Sequence, residues 1–220
     1  VASDSRTNRS GSPEPAPGMG RALLLLLLAG ALAIAGWAAF HLIRGDWRQA
    51  ELQAGQLPEG WTITAADREV SALLLDGETL YAGGMEGIVA IDVRTGRVTG
   101  ALEAGVPMVL VKSLVRDRAG RIWAAHQGGL TVFDGDRTIT YTAADGLPDH
   151  RVNAVLEDSD GRLWVGTFGG AAALHPEGWR VIGQAQGLLD DMVNLLYEDS
   201  HGNLWFANYV LQGGGASYLS

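Results

Sequence analysis

The pattern Asp-x-x-Gly-x-x-Trp occurs three times at one constant stride: Asp117, Gly120, Trp123; Asp158, Gly161, Trp164; and Asp199, Gly202, Trp205. Each member lies 41 residues from its counterpart. A period of that size restricts the chain to a repeat architecture, because each copy is one supersecondary unit stacked on its neighbours.

Each copy reads as a β-hairpin. An apolar strand ends in Asp, a tight turn carries a Gly able to take positive φ, and a second strand follows with a large aromatic on its inner face. The Trp is expected to be a packing anchor rather than a ligand platform, since burying an indole is worth about 3 kcal/mol or more per unit by area bookkeeping.

The stride extends beyond the hairpin. Val70, Val111, Val152 and Val193 are spaced by it, as are Asp76, Asp117, Asp158 and Asp199. Read from Val152, one unit gives four strands: VNAVLED, RLWVGT, GGAAALHP and WRVIGQ. Alternation with period two is strongest in the first and last, and the second is nearly all apolar and should be buried on both faces. The outer strand is also read in WTITAA and TITYTA. Four antiparallel strands per period of about 40 residues predict an all-β fold of β-propeller blades. Tyr81 stands where the other units have Trp, and the small residues Gly83, Ala125, Gly166 and Ala207 share one register, where neighbouring blades converge.

Ahead of the repeats, residues 1–20 are rich in Ser, Pro, Gly and Arg and are expected to be a disordered tail. The run ALLLLLLAGALAIAGWAAFHLI, Ala22–Ile43, is long enough for a roughly 30 Å hydrocarbon core, so residues 21–44 are read as a transmembrane helix or signal anchor. A cleaved signal peptide is the rival, with AIA at Ala33–Ala35 as its cleavage site, but the run exceeds the usual apolar length of such peptides. Arg6, Arg9 and Arg21 before the segment, against Arg44 and Arg48 after it, place the N-terminus on the cytoplasmic side and the repeats outside. Trp37 and Trp47 suit interfacial positions, and Ala31, Ala35 and Ala39 have the spacing of a helix-dimer face, although an alanine-rich span gives that spacing by chance. Residues 45–57 form a juxtamembrane linker, and residues 58–220 hold the repeats, starting near 70, 111, 152 and 193.

The loop GL(P), the apolar strand, the D.DG.LWVGT turn and a following GG resemble the two-component regulator propeller repeat. GLPDHRVNAVLEDSDGRLWVGTFGG, Gly146–Gly170, and GLLDDMVNLLYEDSHGNLWFAN, Gly187–Asn208, carry the likeness, which weakens toward Val70, where the turn is one residue shorter. The resemblance implies the extracytoplasmic sensor region of a bacterial inner-membrane receptor, with the propeller in the periplasm and a histidine kinase or diguanylate cyclase as output. The segment itself is then not an enzyme, and the receptor would work as a homodimer. The last unit inserts residues around Tyr209–Gln212 and stops at Ser220 without a fourth strand. The four units therefore read as an open arc of a larger, incomplete propeller, with poor solubility expected from its bare faces. In the alternative, WTITAA supplies the missing strand and closes a four-bladed ring.

Net charge −9 argues against a nucleic-acid partner, which needs a basic face. The absence of Cys excludes a disulfide framework and thiolate metal sites. DSDG at Asp158–Gly161 lacks the downstream Glu of a calcium loop, and His41, His126, His150, His175 and His201 show no HxH or HExxH spacing, so no metal, cofactor or catalytic residue is expected. Propeller ligands bind at loops between blades, which makes Asp149, His150, Arg151, Asp190 and Asp191 the candidate contacts. The partners anticipated are the membrane, through residues 22–43, and a small molecule, oligosaccharide or protein ligand. Rival readings are a propeller lyase or hydrolase of the streptogramin-lyase type and a passive interaction scaffold.

Overall fold

The computed structural model describes residues 64–65, 68–208 and 214–220. The predicted tail, the transmembrane segment and the linker lie outside the described residues, as does most of WTITAA. Among the described residues no helix is long and apolar enough to cross a membrane.

The described chain is all-β, with four antiparallel sheets in sequence order. The first holds β1 Val70–Asp76, β2 Thr79–Gly84, β3 Gly87–Asp92 and β4 Arg97–Leu102. The second holds β5 Ser113–Arg116, β6 Ile122–His126, β7 Gly129–Asp134 and β8 Arg137–Tyr141. The third holds β9 Val152–Glu157, β10 Leu163–Thr167, β11 Gly170–His175 and β12 Gly178–Ile182. The fourth has three described strands, β13 Val193–Glu198, β14 Leu204–Asn208 and β15 Gly215–Leu219. Within each sheet the strands pair in chain order, each antiparallel to the next.

Two departures from the expected strands have physical causes. The second unit starts its strand at Ser113 rather than at Val111, because Leu110 takes φ 57°, a left-handed conformation that interrupts extended pairing. Val111 nevertheless keeps its place, donating its N–H to the Gly84 carbonyl at 2.9 Å. The first strand of the third unit also fails to alternate: Val152, Asn153, Ala154 and Val155 are all buried. Strands β1, β5, β9 and β13 neighbour one another in consecutive sheets, and β9, with β5 on one side and β13 on the other, is covered on both faces. The outermost strand β12 is mostly exposed, as the last strand of its sheet, with one edge unpaired.

The core lies between sheets. Met108, Val111, Leu114, Ile122 and Phe133 pack with Ala72 and Ile88 across the first junction. Trp123, Leu130 and Val132 pack with Val152, Val155 and Val165 across the second. Trp164 and Ala173 pack with Val193, Leu196 and Phe206 across the third, where Trp164 and Phe206 meet edge to face at 5.9 Å. The small-residue register is where these junctions are tightest. A Cβ on Gly83 would stand 2.6 Å from Val111 Cγ1, and one on Gly166 would stand 2.7 Å from Val193 Cγ1. Val111 and Val193 thus press on the small residue of the unit before theirs.

Candidate functional site

The repeat anchors converge on the turn joining first and second strands. Asp117 Oδ2 accepts the Trp123 indole N–H at 2.7 Å, and its Oδ1 accepts the Arg121 backbone N–H at 2.8 Å. Asp158 repeats this with Trp164 at 2.7 Å and Arg162 at 2.7 Å, and Asp199 with Trp205 at 2.9 Å and Asn203 at 2.9 Å. Gly120, Gly161 and Gly202 close the turns at φ 87°, 81° and 81°, where an L side chain is strained. Each carboxylate therefore fixes both the turn and the indole rotamer. Burial raises the Asp117 carboxyl, but the Trp123 and Arg121 donors outweigh it and leave it below the usual range. The Trp205 and Asn203 donors hold Asp199 well below that range. In the first unit the turn is shorter, Gly77 adopts φ 59°, and Asp76 instead meets Arg116 Nε at 3.1 Å. Tyr81 packs, half-buried, against the first junction.

The loops at the other strand ends carry the predicted ligand contacts. The turn before the third unit starts with Thr142 capping the 3-10 turn Ala143–Asp145 and passes through Gly146 at φ 101°. Asp149 then grips Arg151, accepting its backbone N–H at 2.8 Å, Nε at 3.0 Å and Nη2 at 2.7 Å. The hydrogen bond from the Arg151 side chain holds the Asp149 carboxyl below the usual carboxylate range. His150 Nδ1 stands 3.5 Å from Asp149 and is exposed. In the next loop Asp190 accepts the Met192 N–H at 2.8 Å while its carbonyl accepts Asn208 Nδ2 at 2.6 Å, and Asp191 accepts the Gln184 N–H at 2.8 Å. Asp149, Asp190 and Asp191 thus hold loop backbone or a neighbouring side chain.

Of the five candidates, Arg151 lines a cleft. The cleft has a free volume of about 40 Å³ and is walled by Leu110, Lys112, Gln127, Arg151, Asn153 and Phe168. The Arg151 guanidinium lies 4.3 Å from the Phe168 ring centroid and Lys112 Nζ lies 5.4 Å from it, both within cation–π range. Lys112 Nζ also donates to Asn153 Oδ1 at 2.8 Å, and Asn153 Nδ2 donates to the Val193 carbonyl at 3.0 Å and to Asn194 Oδ1 at 3.2 Å. Sequence reasoning missed Lys112, Gln127, Asn153 and Phe168. The signal was present in the register: Lys112 occupies the position of Ser71, Asn153 and Asn194, and Arg151 that of Leu110 and Met192. A larger groove of about 450 Å³, along the first sheet at Met85, Glu86, Glu103 and Met108, gathers none of the predicted residues. Among the described residues no three His, Asp or Glu side chains are placed to hold a metal ion.

The two-component regulator propeller family model matches residues 146–169 and 187–209, the third and fourth units from their entry loops through their second strands. Two of the four units thus carry the two-component regulator propeller repeat. The four sheets share their fold with the extracellular domain of a hybrid two-component system from B. thetaiotaomicron, at 17% identity and TM-score 0.54 over 73% of this chain and 23% of that one. They share it also with the hydrazine synthase of Kuenenia stuttgartiensis, at 13% identity and TM-score 0.53 over 74% of this chain and 49% of that one. A third such structure is the virginiamycin B lyase of Staphylococcus aureus, at 14% identity and TM-score 0.51 over 72% of this chain and 57% of that one. The chain thus spans between about a quarter and somewhat over half of these proteins. No curated protein matches the sequence significantly.

Proposed function

We propose that the chain is the membrane-anchored, extracytoplasmic sensor segment of a bacterial signal-transduction receptor, and that it acts by binding rather than by turnover. The observation that carries this reading is the match of two successive units to two-component regulator propeller repeats. The fold shared with the extracellular domain of a hybrid two-component system supports it, as does the apolar run at residues 22–43 ahead of the repeats. The residues 142–151 and 183–192 enter the third and fourth units on one face, and that face is the recognition surface in this reading. The four sheets are consecutive blades of a larger propeller. The exposure of Leu195, Tyr197, Trp205 and Tyr218 on the last sheet supports that arrangement, since such a face calls for a neighbour.

The test is protease access to the full chain, expressed in a Gram-negative host with a C-terminal epitope. External protease should degrade the repeats once the outer membrane is permeabilised, while a cytoplasmic marker survives. Repeats that stay intact until the inner membrane is broken would overturn the extracytoplasmic placement. Release of the repeats into the soluble periplasmic fraction would overturn the anchor.

A further inference from the structure

Repeated positions in this chain have repeated duties, so a position that departs from the pattern in one unit alone is informative. At the residue after the opening valine the four units carry Ser71, Lys112, Asn153 and Asn194. Ser71 and Asn153 use it to bind the next unit, donating to the carbonyls of Val111 at 2.6 Å and Val193 at 3.0 Å. A neutral side chain suffices for that bond. Lys112 instead places an ammonium there, and Arg151 places a guanidinium where Leu110 and Met192 stand in the flanking units. The two cations meet at the Phe168 ring, at the single junction between the second and third sheets.

We infer that this cleft binds an oxyanion head group, a carboxylate or a phosphate, with Lys112 and Arg151 as its charged contacts. The charge is right: two cations and the one carboxylate of Asp149 leave the cluster one positive charge in excess, within a chain of net charge −9. The donors are available. Asp149 occupies Nε and one hydrogen of Nη2 of Arg151, leaving Nη1 without a partner among the described residues, and Lys112 spends one of three ammonium hydrogens on Asn153. The Gln127 side chain, at the rim, has no hydrogen-bond partner among the described residues and adds an amide donor. The size fits as well. About 40 Å³ is room for roughly three waters, or for one oxyanion replacing them. Asp149 and Asn153 are positioning residues: one aims the guanidinium, the other the ammonium.

This inference rests on the loop face being the recognition surface, and its experiment separates the two. Amide spectra of the isotope-labelled full chain are recorded while inorganic phosphate, acetate or neutral glycerol is added at constant ionic strength. Saturable shifts are expected at Gln127, Arg151 and Phe168 with phosphate or acetate and not with glycerol. The anion that saturates at lower concentration identifies the head group as a phosphate or a carboxylate. Lys112→Ser, which installs the residue found at the same position in the first unit, should weaken binding at least tenfold, and Lys112→Arg should restore it. Arg180→Gln, on the exposed outer strand, should leave binding unchanged. Melting curves of each variant report folding, and if Lys112→Ser unfolds, Arg151→Gln against Arg151→Lys makes the same comparison. Shifts that rise linearly without saturation, or equal losses in Lys112→Ser and Arg180→Gln, overturn the oxyanion site. If neither anion binds but a neutral compound shifts the same three amides, the oxyanion site falls while recognition on this face stands.

Discussion

Trp164 and Trp205 occupy the same place in successive units, hold the same carboxylate bond, and differ in what lies beyond them. Trp164 is 4% exposed, sealed by Phe206, Val193 and Leu196 of the following sheet. Trp205 is 37% exposed and stacks on Tyr218 of its own sheet, at 4.9 Å. The turn bonds to Asp158 and Asp199 are nearly identical, at 2.7 and 2.9 Å, so the hairpin is a local product of the motif. Burial is not local. It arrives with the neighbour, as expected where stability is a sum of unit and interface contributions.

The largest expected effect tests that division directly. Trp164→Ala should destabilise the protein by about 3–5 kcal/mol, because it opens a cavity in a packed junction. Trp205→Ala, with solvent already at the ring, should cost about 1 kcal/mol, mostly from the lost Tyr218 contact and the lost carboxylate bond. Denaturant midpoints at constant m-value measure both. Equal losses would mean that the hairpin, rather than the junction, carries the stability.

A second way to sharpen the contrast uses pH, because one buried position at the loop end of the second sheet titrates and its counterparts do not. His126, Thr167 and Asn208 are equivalent residues. His126 is fully buried, accepts the Gly128 N–H on Nδ1 at 3.1 Å and donates from Nε2 to Thr131 Oγ1 at 2.9 Å, a pairing that requires the neutral ring. Thr167 does the same duty, accepting the Gly169 N–H at 3.1 Å. Burial lowers the His126 pKa from 6.5 to about 4. The unfolded chain therefore takes up a proton that the folded chain refuses between those values. This contribution is complete above pH 6.5, is lost as pH falls toward 4, and amounts to roughly 3 kcal/mol at most. Unfolding free energies measured at several pH values should show that slope, and His126→Thr should flatten it. A wild-type slope unchanged by His126→Thr would place the titrating group elsewhere.

What was legible in the residues divides along the same line. The stride, the hairpins and the Asp-Gly-Trp turn follow from contacts within about ten residues, and all were readable. The burial of β9 on both faces was not, since alternation assumes one wet face and the covering residues lie one unit away on either side. The interruption at Leu110 has no local sequence signal, because nothing in a leucine announces a left-handed backbone. The five loop candidates include Arg151, which lines the cleft, but three of them are the carboxylates Asp149, Asp190 and Asp191. Folding turns those carboxylates inward to backbone N–H groups and to Arg151, and brings Lys112 and Phe168 together across 56 residues of chain. Comparing equivalent positions across the units would have singled out Lys112.

Gly166→Ala asks how tightly a junction is closed. The new methyl would stand 2.7 Å from Val193 Cγ1 and 3.2 Å from the Val193 carbonyl, so the third and fourth sheets must separate slightly. A loss of about 1–3 kcal/mol is expected from overpacking. The double variant Gly166→Ala, Val193→Ala should recover part of it, because the clash and its partner are removed together. Additive losses in that cycle would show that the two residues do not share a contact.

The smallest effect concerns the polar seam at the far end of the strands. Each interior turn is latched to an acid of the next unit: the Arg118 N–H donates to Glu157 Oε2 at 2.9 Å, and the Ser159 N–H donates to Glu198 Oε2 at 2.7 Å, with the Ser159 hydroxyl on the other oxygen. At the first junction Arg116 takes the acid's place and pairs instead with the Asp76 carboxylate at 3.1 Å. The latches are exposed, and Glu198→Gln should cost only about 0.5–1 kcal/mol. Its value is diagnostic. The corresponding residue of the first unit is Leu75, which has no carboxylate to offer Ser200, the equivalent of Ser159 on the last sheet. Leu75→Glu should therefore leave stability within about 0.5 kcal/mol, as exposed substitutions away from a partner do. A gain of about 1 kcal/mol on Leu75→Glu, abolished by Ser200→Pro, which removes the N–H, would show the first sheet seated on the last. That outcome would replace the open arc with a closed ring.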